Sequence, residues 1–317
     1  MQDDAFKAKL SEKAEYFEKN LKLYIPNDEV YNATVIESMD YSLSAGGKRL
    51  RPVMMQAAFE LFAGDDYTMD DGNAAGKALL SFMAAIEMIH TYSLVHDDLP
   101  AMDNDEFRRG KLTTWKKYGD GMGVLSGDAL LNLAFETMLE CACRAFAEQG
   151  KTDLPERCIK AAKVIAVKAG FSGMIGGQCA DLEGEGKGDA LTTETLLYIH
   201  EHKTGCLIEA SLMAGGILGG AQEEDIKALE KIGSDIGIAF QIRDDILDVY
   251  GDSSELGKNT GSDEAAGKVT YVTKNGLEKS EKEVERLSRE ACEMLDALPG
   301  DKSFLLALIN SLINRTK

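Results

Sequence analysis

Aspartates cluster in two short segments of the sequence. The first, DDLPAMD, covers residues 97–103, and the second, DDILD, covers residues 244–248. Carboxylates placed this close repel one another, and burial adds to the cost. Divalent cations relieve that repulsion, and aspartates with few other ligand types suit Mg²⁺, which commonly bridges carboxylates to substrate phosphates. We therefore predict magnesium ligands at Asp97, Asp98, Asp103, Asp244 and Asp248.

The residues that precede each segment show how the aspartates are positioned. A single acidic motif on an acidic chain is more often a solvated helix face than a metal site. Here, however, apolar runs lead into both motifs, IEMIHTYSLV into the first and IGIAFQI into the second. Apolar flanks are wrong for a solvated face, so the pattern indicates two buried helices that deliver carboxylates to a shared site.

The spacing within each segment predicts different local geometry. Asp244 and Asp248 are four residues apart and share one helical face, whereas Asp245 is rotated off that face. Asp97 and Asp103 are six residues apart and would not share a face on a regular helix. Pro100 lies between them and perturbs the helix, so we expect an irregular turn there.

Basic residues stand beside the acidic ones. Arg108 and Arg109 follow the first aspartate segment, and their planar guanidinium groups suit phosphate oxygens. Upstream, residues 46–52 read GGKRLRP, and glycines beside cations form a plausible anion cradle, although a basic surface turn explains this stretch equally well. His90 precedes Asp97 by seven residues, about 10 Å along a helix; taken alone, it is more typical of a core histidine.

Composition restricts the class of protein. The chain has 317 residues and a net charge of −19, which disfavours nucleic acid and anionic membranes as partners. Six cysteines show no metal-binding spacing, which indicates reduced thiols in a cytoplasm. The first residues lack the features of a signal or transit peptide, and the absence of a run of about 18 apolar residues predicts no membrane span.

Apolar residues recur at three- and four-residue spacings through most of the chain, without convincing strand alternation. We therefore predict an all-α fold with one domain over residues 1–317, and helix starts near 192–194 and 221–223. The predicted helices are 4–22, 29–42, 50–63, 74–96, 124–147, 155–171, 193–218, 223–250 and 277–296. Within 171–186, Gly176 and Gly177 indicate close helix packing, and Gln178 and Asp181 are weaker candidates for cavity-lining residues.

The two aspartate motifs, together with GGKRLRP at 46–52 and GKVTY at 267–271, resemble the short-chain trans-prenyl diphosphate synthases of the polyprenyl synthetase family. The resemblance is strongest to the bacterial farnesyl diphosphate synthase type, whose first motif has the same four-residue spacing. It implies a helical bundle around a central cavity, three Mg²⁺ ions with an allylic diphosphate, and a homodimer. It also implies catalytic roles for Asp97, Asp103, Lys203 and Asp244.

The resemblance further divides the cations between two substrates. Isopentenyl diphosphate is expected at Lys48, Arg51, His90 and Arg109. The allylic diphosphate is expected at Arg108, Lys203 and Lys258, with Thr204 beside Lys203, Gln241 on nearly the same helical face as Asp244, and Lys268 as a further ligand. The implied reaction ionises the allylic diphosphate, after which the double bond of isopentenyl diphosphate attacks the carbocation.

Product length is expected to depend on the residues just before Asp97. Ser93 lies one turn earlier, and Tyr92 is its neighbour. The angle of Tyr92 on an ideal helix favours an ordinary core residue, but the resemblance implies that an aromatic side chain here stops growth at fifteen carbons. We therefore predict farnesyl diphosphate as the product, with geranylgeranyl or geranyl diphosphate as the alternatives.

Two other classes of protein share some of these features. A class I terpene cyclase uses similar metal chemistry on one diphosphate and needs no second cationic site, so GGKRLRP, His90 and Arg109 argue against it. An acidic divalent-ion buffer needs no cations beside its carboxylates, so Arg108 and Lys203 argue against that class.

Overall fold

The computed structural model describes residues 3–27, 31–64, 73–147, 152–250 and 269–313. Within these ranges, regular structure is helical apart from one short hairpin. The helices are α1 (Asp3–Leu21), α2 (Ala33–Leu43), α3 (Leu50–Glu60), α4 (Ala74–Asp97), α5 (Thr114–Tyr118), α6 (Asp120–Ala147), α7 (Leu154–Ala169), α8 (Met174–Gly184), α9 (Thr193–Ile199), α10 (Cys206–Gly219), α11 (Glu223–Tyr250), α12 (Tyr271–Asn275), α13 (Leu277–Ala297) and α14 (Ser303–Ile313). Strands β1 (Phe107–Arg108) and β2 (Lys111–Leu112) pair antiparallel, and a π-helical turn, His200–Gly205, joins α9 to α10.

Helix α4 lies at the centre of the bundle. Asn73 caps it, because its side-chain oxygen accepts hydrogen bonds from the N–H groups of Ala75 at 2.9 Å and Gly76 at 3.2 Å. The helix packs against α3, α6, α7 and α10, so most of its side chains are buried. By length and composition it is apolar enough to cross a membrane, but 72% of its apolar window is buried inside the protein, as in a core helix.

Among the described residues, the buried apolar side chains form two clusters, and two helices contribute to both. One surrounds α4, α6 and α7, and the other lies among α11, α13 and α14. Helices α3 and α10 contribute to both clusters; Met55 belongs to the first and Met54 to the second. The two helices approach closely, since a Cβ atom on Gly215 would lie 2.1 Å from the carbonyl oxygen of Met55. Only glycine fits there, so α3 and α10 are held backbone to backbone.

The structure confirms the predominantly helical prediction and most of the predicted elements. The expected start near Thr192 is a side-chain cap, because its Oγ1 accepts from the N–H of Thr195 at 3.1 Å. The sequence pattern does not predict α5, α8, α12, α14 or the hairpin. In α8 the glycines hide the helical period, and the other helices and the hairpin are too short or too uniformly apolar to show one.

Candidate active site

The first aspartate segment starts at the end of α4 and folds back on itself. The N–H of Asp103 donates to the carbonyl oxygen of Asp97 at 2.8 Å, which returns Asp103 to the helix end. The irregular turn predicted around Pro100 is therefore present. Burial, opposed by the charge of Lys203 and reinforced by that of Asp103, raises the pKa of the Asp97 carboxyl to about 6. The end of α4 thus carries two neighbouring carboxylates that a cation would stabilise.

Asp98 is engaged by the hairpin. Its Oδ1 accepts a hydrogen bond from Arg108 Nε at 2.7 Å and lies 2.6 Å from Nη2 of the same guanidinium, and the residue is only 3% exposed. This ion pair ties β1 to the end of α4 and keeps the Arg108 guanidinium near Asp97, where it lowers the pKa of that carboxyl. Asp98 would have to share its carboxylate between Arg108 and a metal ion, and its metal role stays a prediction.

The second aspartate segment lies in the last turns of α11. Asp244 and Asp248 are one turn apart and half-buried. Asp245 is buried and accepts a hydrogen bond from the main-chain N–H of Tyr271 at 2.8 Å. The predicted rotation of Asp245 away from the other two is consistent with this bond, which fixes the start of α12 to α11.

The π-helical turn brings Lys203 to the aspartates. Lys203 Nζ donates to Asp181 Oδ2 of α8 at 2.6 Å, and its charge lowers the pKa of Asp97. Thr204 Oγ1 donates to Gln241 Oε1 of α11 at 2.7 Å. Turns of this kind occur frequently at functional sites. Lys203 and Thr204 therefore connect the first aspartate segment with α11.

Glycines hold this turn from two sides. A Cβ atom on Gly177 would lie 2.1 Å from the main-chain nitrogen of Lys203, and one on Gly237 would lie 2.4 Å from the Cα atom of Gly205. Helices α8 and α11 therefore contact the turn directly through their backbones. The close packing predicted for Gly177 is confirmed, and Asp181, a weak candidate from sequence, proves to contact Lys203.

A second group of cations lies where the segment before α3 meets the hairpin. Arg109 Nη1 donates to the carbonyl oxygen of Gly46, and a Cβ atom on Gly47 would lie 2.6 Å from the same nitrogen. Lys48 is exposed and Arg51 half-buried. Burial and the charges of Arg51 and Arg109 lower the pKa of His90 well below its ordinary value, so the imidazole is neutral at pH 7. The charges of Arg51 and Arg109 therefore act on His90, and Lys48 follows Gly46 and Gly47 in the turn that contacts Arg109.

Tyr92 lies in the apolar cluster around α4. It is 5% exposed, its ring stands edge-on to His96 at 5.7 Å between centroids, and burial raises its pKa to about 12. Its buried hydroxyl has no hydrogen-bond partner among the described residues. Ser93 Oγ donates to the carbonyl oxygen of His90 at 2.9 Å. A bulky side chain therefore stands one to two turns before Asp97, with a small one beside it.

The carboxylates fit magnesium in ligand type. Asp97 and Asp103 meet at one helix end, Asp244 and Asp248 lie on α11, and Lys203 stands near Asp97. Among the described residues, no group of three or more His, Cys, Asp or Glu side chains could hold an ion by itself. Ions held by one or two carboxylates would complete their coordination with substrate phosphate oxygens and water, which is common for Mg²⁺.

Two predicted diphosphate ligands cannot be placed, and one buried ion pair was not predicted. Lys258 and Lys268 lie outside the described residues, so their predicted roles stay predictions. Sequence reasoning counted Arg49 among the cations of GGKRLRP but missed Glu87, with which Arg49 forms a buried ion pair. The available signal was a glutamate within the apolar run SFMAAIEMIH.

The chain was compared with known proteins. Residues 32–304 match the family model described as polyprenyl synthetase. The chain is 44% identical over 309 residues, 97% of its length and 81% of the relative's, to geranylgeranyl pyrophosphate synthase 11, chloroplastic, of Arabidopsis thaliana. It is 42% identical over 307 residues, 96% of its length and 95% of the relative's, to a geranylgeranyl diphosphate synthase of Cyanophora paradoxa.

Solved structures also superpose on this chain over nearly its whole length. An FPP/GFPP synthase of Zymomonas mobilis superposes with a TM-score of 0.82 at 32% identity, covering 98% of this chain and 100% of that one. A geranyltransferase of Helicobacter pylori, complexed with magnesium and isoprenyl diphosphate, gives 0.78 at 32% identity, covering 97% and 96%. The predicted isoprenoid-synthase fold is confirmed. With most of its length matched by the family model and by these relatives, the chain belongs to the polyprenyl synthetase family.

Proposed function

We propose that this prenyl-elongating enzyme adds isopentenyl diphosphate head to tail to allylic diphosphates, starting from dimethylallyl diphosphate. One observation carries the assignment of the two substrates: α4 connects two cationic sites of different character. At its end, Arg108 and Lys203 lie near the Asp97 carboxylate. About two turns earlier, His90 lies within the field of Arg51 and Arg109, and burial together with their charges lowers its pKa. Two diphosphates would therefore bind along one helix, the allylic one at the aspartates.

The residues at each site support distinct roles. When bound, Mg²⁺ would neutralise charge on the allylic diphosphate as it leaves; we assign its ligands to Asp97, Asp103, Asp244 and Asp248. Lys203 and Arg108 add fixed positive charge beside the departing diphosphate. His90, as a neutral imidazole, offers one N–H donor to isopentenyl diphosphate. Buried apolar residues around α4 keep water from the allylic cation.

For the product, we propose geranylgeranyl diphosphate. The two sequence relatives reported above, at 42–44% identity, are named geranylgeranyl synthases. Farnesyl diphosphate, the product predicted from sequence, is the second candidate, because the bulky Tyr92 is buried close to Asp97. The Zymomonas mobilis structure is named an FPP/GFPP synthase, and farnesyl diphosphate (FPP) is one of the two products in that name.

The test is an incubation of the purified protein with Mg²⁺, isopentenyl diphosphate and each allylic diphosphate of five, ten or fifteen carbons. We expect pyrophosphate release only when both substrate types are present, and a twenty-carbon product by mass spectrometry. A fifteen-carbon end product would select the second candidate. Pyrophosphate release from an allylic diphosphate alone would contradict chain elongation.

Assembly, metal count and location are also proposals. Leu125, Leu139 and Phe146 are exposed on α6 at seven- and fourteen-residue spacings, which gives one helix face an apolar surface and supports the expected homodimer. Light scattering should give twice the 34.4 kDa chain mass. Three Mg²⁺ ions are expected per site with allylic diphosphate bound, which calorimetric titration would count. We also propose a cytoplasmic location, because the spacing of the six cysteines predicts reduced thiols.

A further inference from the structure

Glu87 is a buried carboxylate in the apolar middle of α4, one turn before His90. It is 3% exposed, and its Oε1 accepts a hydrogen bond from Arg49 Nη1 at 2.6 Å. Neither residue has a role in the reaction proposed above. A buried ion pair is weak evidence for stability, because desolvation offsets much of the attraction. Its location between α4 and the turn that carries Lys48 calls for a different explanation.

Arg49 is fully occupied by the protein. Its Nε donates to Glu18 at 3.0 Å, its Nη1 to Glu87, and its Nη2 to the carbonyl oxygen of Leu43 at 2.6 Å. The residue has φ of 49°, a left-handed conformation that is uncommon and costly outside glycine. These three contacts hold it there. Arg49 is therefore a tether for the turn at residues 46–49 and not a diphosphate ligand.

The tethered turn is packed against the hairpin. Gly46 and Gly47 have φ of 85° and 144°, so the turn has little freedom to accept side chains. The Arg109 guanidinium lies against Gly47 and donates to the carbonyl oxygen of Gly46. Lys111 Nζ donates to the carbonyl oxygen of Ser44 at 3.3 Å. A displacement of Arg49 would therefore move Lys48 and Arg109 together.

Glu87 also offsets repulsion among the remaining cations. Burial lowers the pKa of Arg51 to about 10 and also lowers the pKa of Arg109; in both cases the Glu87 charge opposes the shift. Arg51 Nε is buried without a hydrogen-bond partner among the described residues. The Glu87 carboxylate therefore reduces the repulsion between Arg51 and Arg109 before any anion binds.

We propose that Glu87, acting through Arg49, is a positioning residue that presets the cationic site for the diphosphate of isopentenyl diphosphate. The proposal rests on the assignment of that substrate to Lys48, Arg51, His90 and Arg109. It predicts a selective effect, because the ion pair with Asp98, and not the turn at 46–49, holds Arg108 at the Asp97 end of α4. It also predicts that neutralising Glu87 weakens diphosphate binding, whereas the change in charge alone would strengthen it.

The main test is the double variant Arg49→Met/Glu87→Met, which leaves the net charge unchanged. Replacing a buried ion pair with apolar side chains of similar volume is often tolerated by the fold. We expect calorimetric titration to show isopentenyl diphosphate binding weakened about tenfold or more, the equivalent of losing one charged hydrogen bond. The thermal midpoint and the KM for the allylic diphosphate should stay close to wild type. The matched control, Lys13→Met/Glu60→Met, removes another ion pair between helices, at 2.5 Å, and should leave affinity unchanged.

Glu87→Gln separates the two possible effects by sign. It removes one negative charge near the site, so electrostatics alone would tighten diphosphate binding. Loss of positioning would weaken it, and we expect weaker binding. Unchanged or tighter binding in both the Gln and the double Met variants would overturn the proposal, as would an equal rise in KM for both substrates.

The binding measurement also distinguishes this inference from the proposed function. If the wild type bound isopentenyl diphosphate but transferred no prenyl group, the proposed function would be wrong while the titration still tested Glu87. If the wild type were active and the double variant folded and bound normally, only the inference would fail. If the double variant did not fold, the sign of the Glu87→Gln effect would decide.

Discussion

The main-chain N–H of Asp103 donates to the carbonyl oxygen of Asp97, with 2.8 Å between nitrogen and oxygen. Six residues on a regular helix would separate these positions by about 9 Å along the axis. The hydrogen bond closes the turn between them instead, so both carboxylates lie at one end of α4. The position of Asp103 thus depends on backbone geometry as well as on sequence spacing.

Removing a carboxylate from either aspartate segment should affect turnover more than folding. We expect Asp97→Asn and Asp244→Asn to lower kcat by about 10²–10⁴-fold, because metal-assisted charge stabilisation is worth several kcal/mol. Steady-state pyrophosphate release at saturating Mg²⁺ measures this, with circular dichroism to verify the fold. Glu224→Gln, an exposed residue in the first turn of α11, is the control. Near-normal turnover in either aspartate variant would exclude a ligand role for that residue.

The two cationic sites should respond to different substrates. Lys48→Ala should mainly raise the KM for isopentenyl diphosphate, since the exposed Lys48 lies on the turn next to Arg109. Lys203→Ala should lower kcat or raise the KM for the allylic substrate, because Lys203 lies near Asp97. Initial rates with each substrate varied in turn distinguish the two defects. The same kinetic defect in both variants would rule out the division into two sites.

The product should change length when the residues before Asp97 change size. Tyr92→Ala removes a buried ring, and we expect the main product to lengthen by at least one five-carbon unit. Ser93→Phe fills the space beside it and should shorten the product. Mass spectrometry of the hydrolysed products gives the answer. If both variants made the wild-type product, chain length would be determined elsewhere in the cavity.

The contact between α8 and the π-helical turn should be intolerant of a methyl group. Gly177→Ala would place a Cβ atom 2.1 Å from the main-chain nitrogen of Lys203, so the two elements must separate. We expect a loss of about 1–3 kcal/mol in the free energy of unfolding, as for other overpacked sites, and lower turnover as the Asp181–Lys203 ion pair loosens.

Gly121→Ala is the matched control for that change. Gly121 lies in α6 with no neighbour within 4 Å of an added Cβ atom, so alanine should be neutral or slightly stabilising. Denaturant unfolding and kcat of both variants provide the comparison. Equal stability and equal turnover of the two would show that the close approach at Gly177 is not required.

Much of the fold follows from local sequence pattern. Helices α4 and α11 show long apolar periods, and each ends in an aspartate motif. Both helices, and the aspartates at their ends, can therefore be predicted from the sequence. The π-helical turn cannot be predicted from the sequence, because its conformation depends on backbone contacts with Gly177 and Gly237, which belong to other segments of the chain. Local propensity holds no information about such contacts.

The site divides in the same way. Charged residues in recognisable motifs, such as Lys48 and Arg108, are identified by type and spacing. Partners separated widely along the chain, such as Asp181 with Lys203 and Glu87 with Arg49, are 22 and 38 residues apart and become partners only when helices pack. A glutamate within an apolar helix, such as Glu87, predicts a buried positively charged partner, but it does not identify that partner.

Helix α4 also has a consequence for repeated rounds of synthesis. It carries His90 and Asp97 on one continuous helix, about 10 Å apart along its axis. In the proposed reaction, a newly extended chain keeps the diphosphate that arrived with isopentenyl diphosphate, so it would finish each round at the His90 end. No hinge in the helix can shorten that distance, and the intermediate itself must relocate before it can ionise. Every intermediate would therefore have an opportunity to dissociate into solution. The yield of full-length product would depend on the rate at which the intermediate moves to the aspartates relative to the rate at which it dissociates.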